Sequence, residues 1–114
     1  MKDQDFKTFH YNVLGLKSKI IGDIILSGDT ILTSVIEGSI TVLEGKLTLE
    51  RGSSVKGKIV APELEIFGLV DGEIECSGLT SIRSSAEVLG TVKSGRLVIY
   101  PGAVVQMNAS SQEI

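Results

Sequence analysis

The chain has 114 residues, with 11 Lys and Arg against 14 Asp and Glu for a net charge of −3, so it is one domain in length and lacks the clustered cations that nucleic acid calls for. A 42% hydrophobic and 22% charged composition excludes wholesale disorder, and the single cysteine, Cys76, excludes a disulfide framework and a cysteine-based metal site. No run approaches the ~20 apolar residues that span a bilayer and no leader pattern opens the sequence, so the expectation is a soluble cytoplasmic domain.

β-Branched residues dominate: 13 Ile, 11 Val and 7 Thr stand against 4 Ala, the best helix former. The 13 glycines are spread along the chain as punctuation between short strands. The chain opens with residues 1–12, which hold the aromatics Phe6, Phe9 and Tyr11 and the lysines Lys2 and Lys7.

From Val13 to Met107 the sequence repeats. A Gly-x-Ile or Gly-x-Val unit recurs at Gly22, Gly38, Gly57, Gly72 and Gly90, at intervals of 15–19 residues. Two positions before each glycine stands Ile20, Ile36, Val55, Val70 or Val88, and two after stands Ile24, Ile40, Ile59, Ile74 or Val92. Each unit also carries an alternating pair: Leu14/Leu16, Thr30/Leu32, Leu47/Leu49, Leu64/Ile66, Thr80/Ile82 and Leu97/Ile99. The variation in period falls mostly between this pair and the next aliphatic, where a loop absorbs it while the strands stay in register.

Period-2 alternation places each set of aliphatics on one face of a strand. A strand of four or five residues cannot bury such a face alone, but equivalent strands from successive repeats can close each other's core. The sequence therefore predicts an all-β, three-sided parallel solenoid of about six coils of 15–19 residues, counting an incomplete first one. The glycine column fits a tight bend or close packing of backbones. Counting back seven residues from Leu14 puts Phe9 and Tyr11 at the offsets of Ile24 and Leu26, as aromatic members of the partial first coil.

These residues resemble the bactofilin family of bacterial cytoskeletal proteins over roughly Val13 to Val105. The resemblance is carried by the ordered Gly-x-Ile units, by Val-Lys-Gly-Lys-Ile at 55–59, and by Leu-Val-Ile-Tyr-Pro-Gly-Ala at 97–103. It implies a right-handed β-helix that polymerises without nucleotide into non-polar filaments. It further implies a cytoplasmic scaffold, often at the inner face of the membrane, that localises cell-wall or morphogenesis proteins such as a wall hydrolase or synthase. Met107 departs from the family by standing where a closing glycine is expected.

Function is expected at the ends and on the outside. Leu97, Ile99, Val105 and Met107 continue the inward rows, and residues 108–114 form a short polar tail. An uncapped parallel edge is a template for another copy. Leu97, Ile99, Tyr100, Val104, Val105 and Met107 are thus the candidate C-terminal contact, with Phe9, Tyr11, Val13, Leu14 and Leu16 opposite. A membrane-touching N-terminal peptide, as the resemblance suggests, would insert Met1, Phe6 and Phe9 and set Lys2 and Lys7 on headgroups, although Asp3 and Asp5 cancel their charge. The outer column Ile25, Thr41, Val60, Glu75 and Lys93 offers a lateral contact at its apolar half, Ile25, Thr41 and Val60. The alternating column Glu37, Lys56 and Asp71 reads as a register-favouring ladder.

An enzyme is not expected. Acyltransferase and carbonic-anhydrase solenoids need strict six-residue repeats and histidines between coils, whereas His10 is the only histidine and lies outside the regular coils. The pairs Glu63/Glu65 and Glu73/Glu75 read as solvated outer faces, and no phosphate-binding glycine loop is present. No cofactor or metal is implied. The alternative to a polymer is a non-polymerising β-helical adaptor that binds a cell-wall enzyme along its side.

Overall fold

The computed structural model describes residues 11–14 and 19–111, with the side chains of residues 19–106. Ten strands follow one another: β1 (Tyr11–Leu14), β2 (Lys19–Leu26), β3 (Asp29–Leu32), β4 (Val35–Val42), β5 (Lys46–Leu49), β6 (Ser54–Ala61), β7 (Glu63–Ile66), β8 (Leu69–Ile82), β9 (Glu87–Ile99) and β10 (Val104–Ser111). Every ladder is parallel. One stack runs β1, β3, β5, β7, then the C-terminal halves of β8 and β9. The other runs β2, β4, β6, the N-terminal halves of β8 and β9, and β10. The chain is a β-solenoid of about five turns joining six rungs on each stack, one turn fewer than the coils counted in the sequence.

The glycine column makes the bend within each long strand. Gly38, Gly57, Gly72 and Gly90 stack in register, with φ between +120° and +147°. A Cβ on any of them would lie 1.7–2.0 Å from the carbonyl oxygen of the glycine one rung earlier. Both expected reasons for glycine therefore operate together: a left-handed backbone and a contact with no room for a side chain. The bend carries the buried face across four residues, from Ile36 to Ile40, so that each turn has three sides.

The period changes where the sequence expects it. The long corners close as hydrogen-bonded four-residue turns, Ser53 N to Glu50 O at 3.1 Å, Ala86 N to Arg83 O at 3.0 Å and Ala103 N to Tyr100 O at 3.2 Å. In two of them the third residue is a glycine with positive φ, Gly52 at 89° and Gly102 at 98°. With Pro101 before Gly102, the Tyr-Pro-Gly-Ala motif has the sequence of a type II turn.

Aliphatic columns fill the interior. Leu32, Leu49, Ile66 and Ile82 are each 0% exposed, and Ile40, Ile59, Ile74 and Val92 are no more than 1%. Cys76 is buried as expected from its alignment with Val42 and Ala61, and its sulfur lies 3.4 Å from the carbonyls of Pro62 and Leu79. Polar interior atoms are satisfied locally: Ser94 and Thr80 share a hydrogen bond of 2.9 Å, and the Ser94 hydroxyl also meets the carbonyls of Gly78 and Arg96.

Three expectations need correcting. Leu14 is in register with Leu32 and Asn12 with Thr30, so the residues in register with the Thr30/Leu32 pair are Asn12 and Leu14 rather than Leu14 and Leu16. Tyr11 consequently falls in register with Asp29, not with Leu26. Corners of four and six residues both occur, so alternation alone does not choose between these registers. Met107 is in register with Gly90, which places it in the glycine column and outside the inward rows. Finally, β10 carries its ladder to Ser111 opposite Ser94, four residues past the boundary expected at 107.

Candidate functional site

At the C-terminal end the interior is open. The column that is fully buried from Leu32 to Ile82 ends in Ile99, which is 47% exposed. Val105 lies on Val88 and Leu97 on Thr80; both are half-buried and pack against the core. Ile99 and Val105 are aliphatic like the buried Ile82 and Val88 beneath them, and among the described residues no rung follows theirs. Of the predicted contact residues, Leu97, Ile99 and Val105 come together as the open end of the core. Tyr100 and Val104 lie on its rim, at the outer corner and over Glu87.

At the opposite end the outermost described rungs are β1 and β2. Ile20 and Ile24 are half-buried, whereas Ile36 and Ile40 one rung in are buried. Among the predicted residues here, Leu14 takes the Leu32 column and Val13 is in register with Ile31. Phe9 and Leu16 lie outside the described residues, as do Met1, Lys2, Phe6 and Lys7 of the expected membrane contact and His10.

The outer face between the glycine bend and the next corner carries the predicted lateral column in the predicted register, Ile25, Thr41, Val60, Glu75 and Lys93. Ile25 is 56% exposed, and beside it Leu43, at the following corner, is 64% exposed. Leu43 escaped the sequence reading because it lies outside the repeating offsets. A shallow groove of about 590 Å³ runs along this edge, floored by Val42, Ala61, Cys76 and Ser94. Its floor is a column of side chains no larger than that of Val42.

Charge on the outside is arranged between rungs. Lys19 meets Glu37 at 3.4 Å and Lys58 meets Glu75 at 3.5 Å. The ladder of Glu37, Lys56 and Asp71 has the expected register, but the ion pair formed by Glu37 is diagonal, to Lys19. Glu65 is more occupied than its reading as a solvated carboxylate implies, lying 2.8 Å from Lys46 and 2.9 Å from Arg83. The Arg83 guanidinium in turn lies between two rings, 5.4 Å from the centroid of Phe67 and 4.2 Å from that of Tyr100. Phe67, Arg83 and Tyr100 each follow the second inward residue of their rung, an offset visible in the sequence. This stack fastens the last corner, with Tyr100, onto the rungs below. Arg83→Ala is expected to lower stability by about 1–2 kcal/mol, the sum of a partly exposed ion pair and the ring contacts, measured as a lower urea midpoint.

Among the described residues no cluster of His, Cys, Asp and Glu could hold a metal ion. What the structure brings together, among the described residues, is an aliphatic core whose last rung is partly exposed, two parallel β-edges beside it and exposed apolar side chains on one flank. Such a molecule is a parallel β-solenoid whose last described rung leaves apolar side chains exposed. Residues 12–110 match the family model Bactofilin, described as polymer-forming cytoskeletal. The chain belongs to the bactofilin family. A curated relative, Bactofilin BacO of Myxococcus xanthus, is 29% identical over 96 residues, covering 84% of this chain and 75% of that protein. No solved structure matches.

Proposed function

We propose that the protein is a cytoskeletal scaffold that assembles end to end, without nucleotide, through the open rung at its C-terminal end. Stacking a second copy there covers Leu97, Ile99 and Val105 and continues both β-ladders across subunits. The observation that carries this reading is the exposure of Ile99 in a column whose members Leu32, Leu49, Ile66 and Ile82 are 0% exposed. Solenoids that remain single normally place a polar cap over such an end. Joining like ends makes each contact isologous and the filament non-polar.

The scaffold acts in the cytoplasm, where it holds cell-wall or morphogenesis proteins, at the inner membrane face if the N-terminal peptide engages lipid. Its work is placement, not chemistry. Negative-stain electron microscopy of the purified full chain, at near-physiological salt without nucleotide or divalent metal, tests the central step. Filaments or sheets are expected. Uniform small particles across a concentration series would overturn end-to-end assembly and favour the adaptor.

A further inference from the structure

We infer that the face carrying Ile25, Leu43 and Val60 is a second self-association surface, pairing two copies side by side with their solenoid axes antiparallel. The occupant is another copy of this chain, and the geometry of the columns defines how it sits. This inference rests on the proposed scaffold only in that filaments multiply the contact.

The face spans three rungs. The first presents Asp23 and Ile25, the second Ser39, Thr41 and Leu43, and the third Lys58, Val60 and Pro62. Ile25 and Leu43 are its most exposed apolar residues. Beside them lie the exposed Asp23, which accepts a hydrogen bond from Ser39 Oγ at 2.8 Å, and the exposed Lys58, 3.5 Å from Glu75 on the next rung, so each must be shared with the partner. A two-fold axis lying in the interface along the strand direction leaves each column facing itself and reverses the order of rungs. Centred on the second rung, it sets Ile25 against the partner's Val60, Leu43 against the partner's Leu43, and Asp23 against the partner's Lys58. Each heterotypic pair occurs twice.

Charge selects this register over its neighbour. Moving the axis half a rung towards the C-terminal end would oppose Asp23 to the partner's Glu73 and Ile25 to the partner's Glu75, which are the next members of the same columns. Like charges set against each other, and an aliphatic against a carboxylate, both oppose association. A parallel arrangement, with the axis along the solenoid, pairs Ile25 with itself and gives Asp23 no cation on this face of its own rung, Lys19 lying across the Gly22 bend.

The area is small. Three rungs at ~4.8 Å and a width of about six residue steps at ~3.3 Å give on the order of 300 Å² per copy. A stable complex covers roughly 800 Å² per partner. A single pair is therefore transient, whereas a filament repeats the contact and gains from effective concentration. The expected result is doubled filaments above a low population of lateral dimers. Because the pairing includes exposed ion pairs, doubled filaments should separate into single ones at about 1 M salt, where the screening length falls to roughly 3 Å.

Thiol pairing combined with electron microscopy tests the inference. Under mild oxidation, Thr41→Cys and Leu43→Cys should each form disulfide dimers with themselves. Ile25→Cys should do so only when mixed with Val60→Cys, and Cys76 is buried and does not compete. Asp23→Lys should leave single filaments, and adding Lys58→Asp in the same chain should restore doubled ones. Self-pairing of Ile25→Cys, or doubled filaments unaffected by Leu43→Asp, would overturn the inference. The two readings fail separately. Single filaments without Thr41→Cys dimers leave end-to-end assembly standing and remove the lateral contact. Thr41→Cys dimers without filaments do the reverse.

Discussion

Gly57→Ala is expected to abolish the folded solenoid, although it adds only one methyl group. Gly57 has a φ of +138°, and the new Cβ would lie 1.7 Å from the Gly38 carbonyl oxygen. The left-handed backbone alone costs an L-residue about 1–3 kcal/mol. Relieving the clash requires lifting the third rung from the second, which opens hydrogen bonds on both sides and separates Ile40 from Ile59. Exceeding about 4–5 kcal/mol is exceptional for a point change, and is comparable to the ~5–15 kcal/mol that holds a whole domain folded. Loss of the β-type circular dichroism spectrum, or a collapsed urea midpoint, is the expected readout. Gly22→Ala is the control: its φ is +127°, but nothing lies within 4 Å of the added atom. It should show the backbone cost alone. Equal urea midpoints for the two variants would mean that the close approach between rungs contributes nothing.

The same column explains why so much of the fold was legible. A glycine required at each turn, flanked at two residues by aliphatics facing one core, leaves a periodic record that needs no other sequence for comparison. Gly38, Gly57, Gly72 and Gly90 stack as read, and so do the outer residues beside them, down to Ile25 under Thr41 under Val60. Corners leave no such record, because a spacing of four residues, or one of six that includes a hydrogen-bonded four-residue turn, brings the chain to the same place. That is why alternation points to Leu16 for the place that Leu14 takes beside Leu32.

The functional surfaces were legible to the extent that they belong to columns. Ile99 and Val105 are end members of rows whose periodicity was visible, so the open end could be located without coordinates. Met107 was misplaced in those rows although the sequence also marked it as the missing closing glycine; its register on Gly90 resolves the conflict. Leu43 sits at a corner outside the repeating offsets, where only the structure sets it beside Ile25, whereas Phe67, Arg83 and Tyr100 share an offset the sequence carries and the structure shows what their stacking forms.

Ile99→Arg is expected to stop filament growth without unfolding the subunit, while Val98→Arg, one residue earlier, should leave growth intact. The two residues lie on the same terminal rung and are similarly exposed, 47% for Ile99 and 38% for Val98. Their neighbours distinguish them. Ile99 stands on the buried Ile82, whereas Val98 stands on Ser81 in an outer column, so a cation at 98 remains in solvent when a copy stacks above. At 99 the next copy would enclose the guanidinium in an aliphatic row, where an unpaired charge costs several kcal/mol. The isolated subunit escapes that cost because the open end lets a long side chain reach water. Val105→Arg, on the adjoining ladder over Val88, should act in the same way. The measurements are sedimentation and electron microscopy for assembly, with circular dichroism for the fold. Short soluble species with an unchanged β-type spectrum are expected for Ile99→Arg and Val105→Arg, and long filaments for Val98→Arg. Long filaments from Ile99→Arg would move the end contact away from this rung.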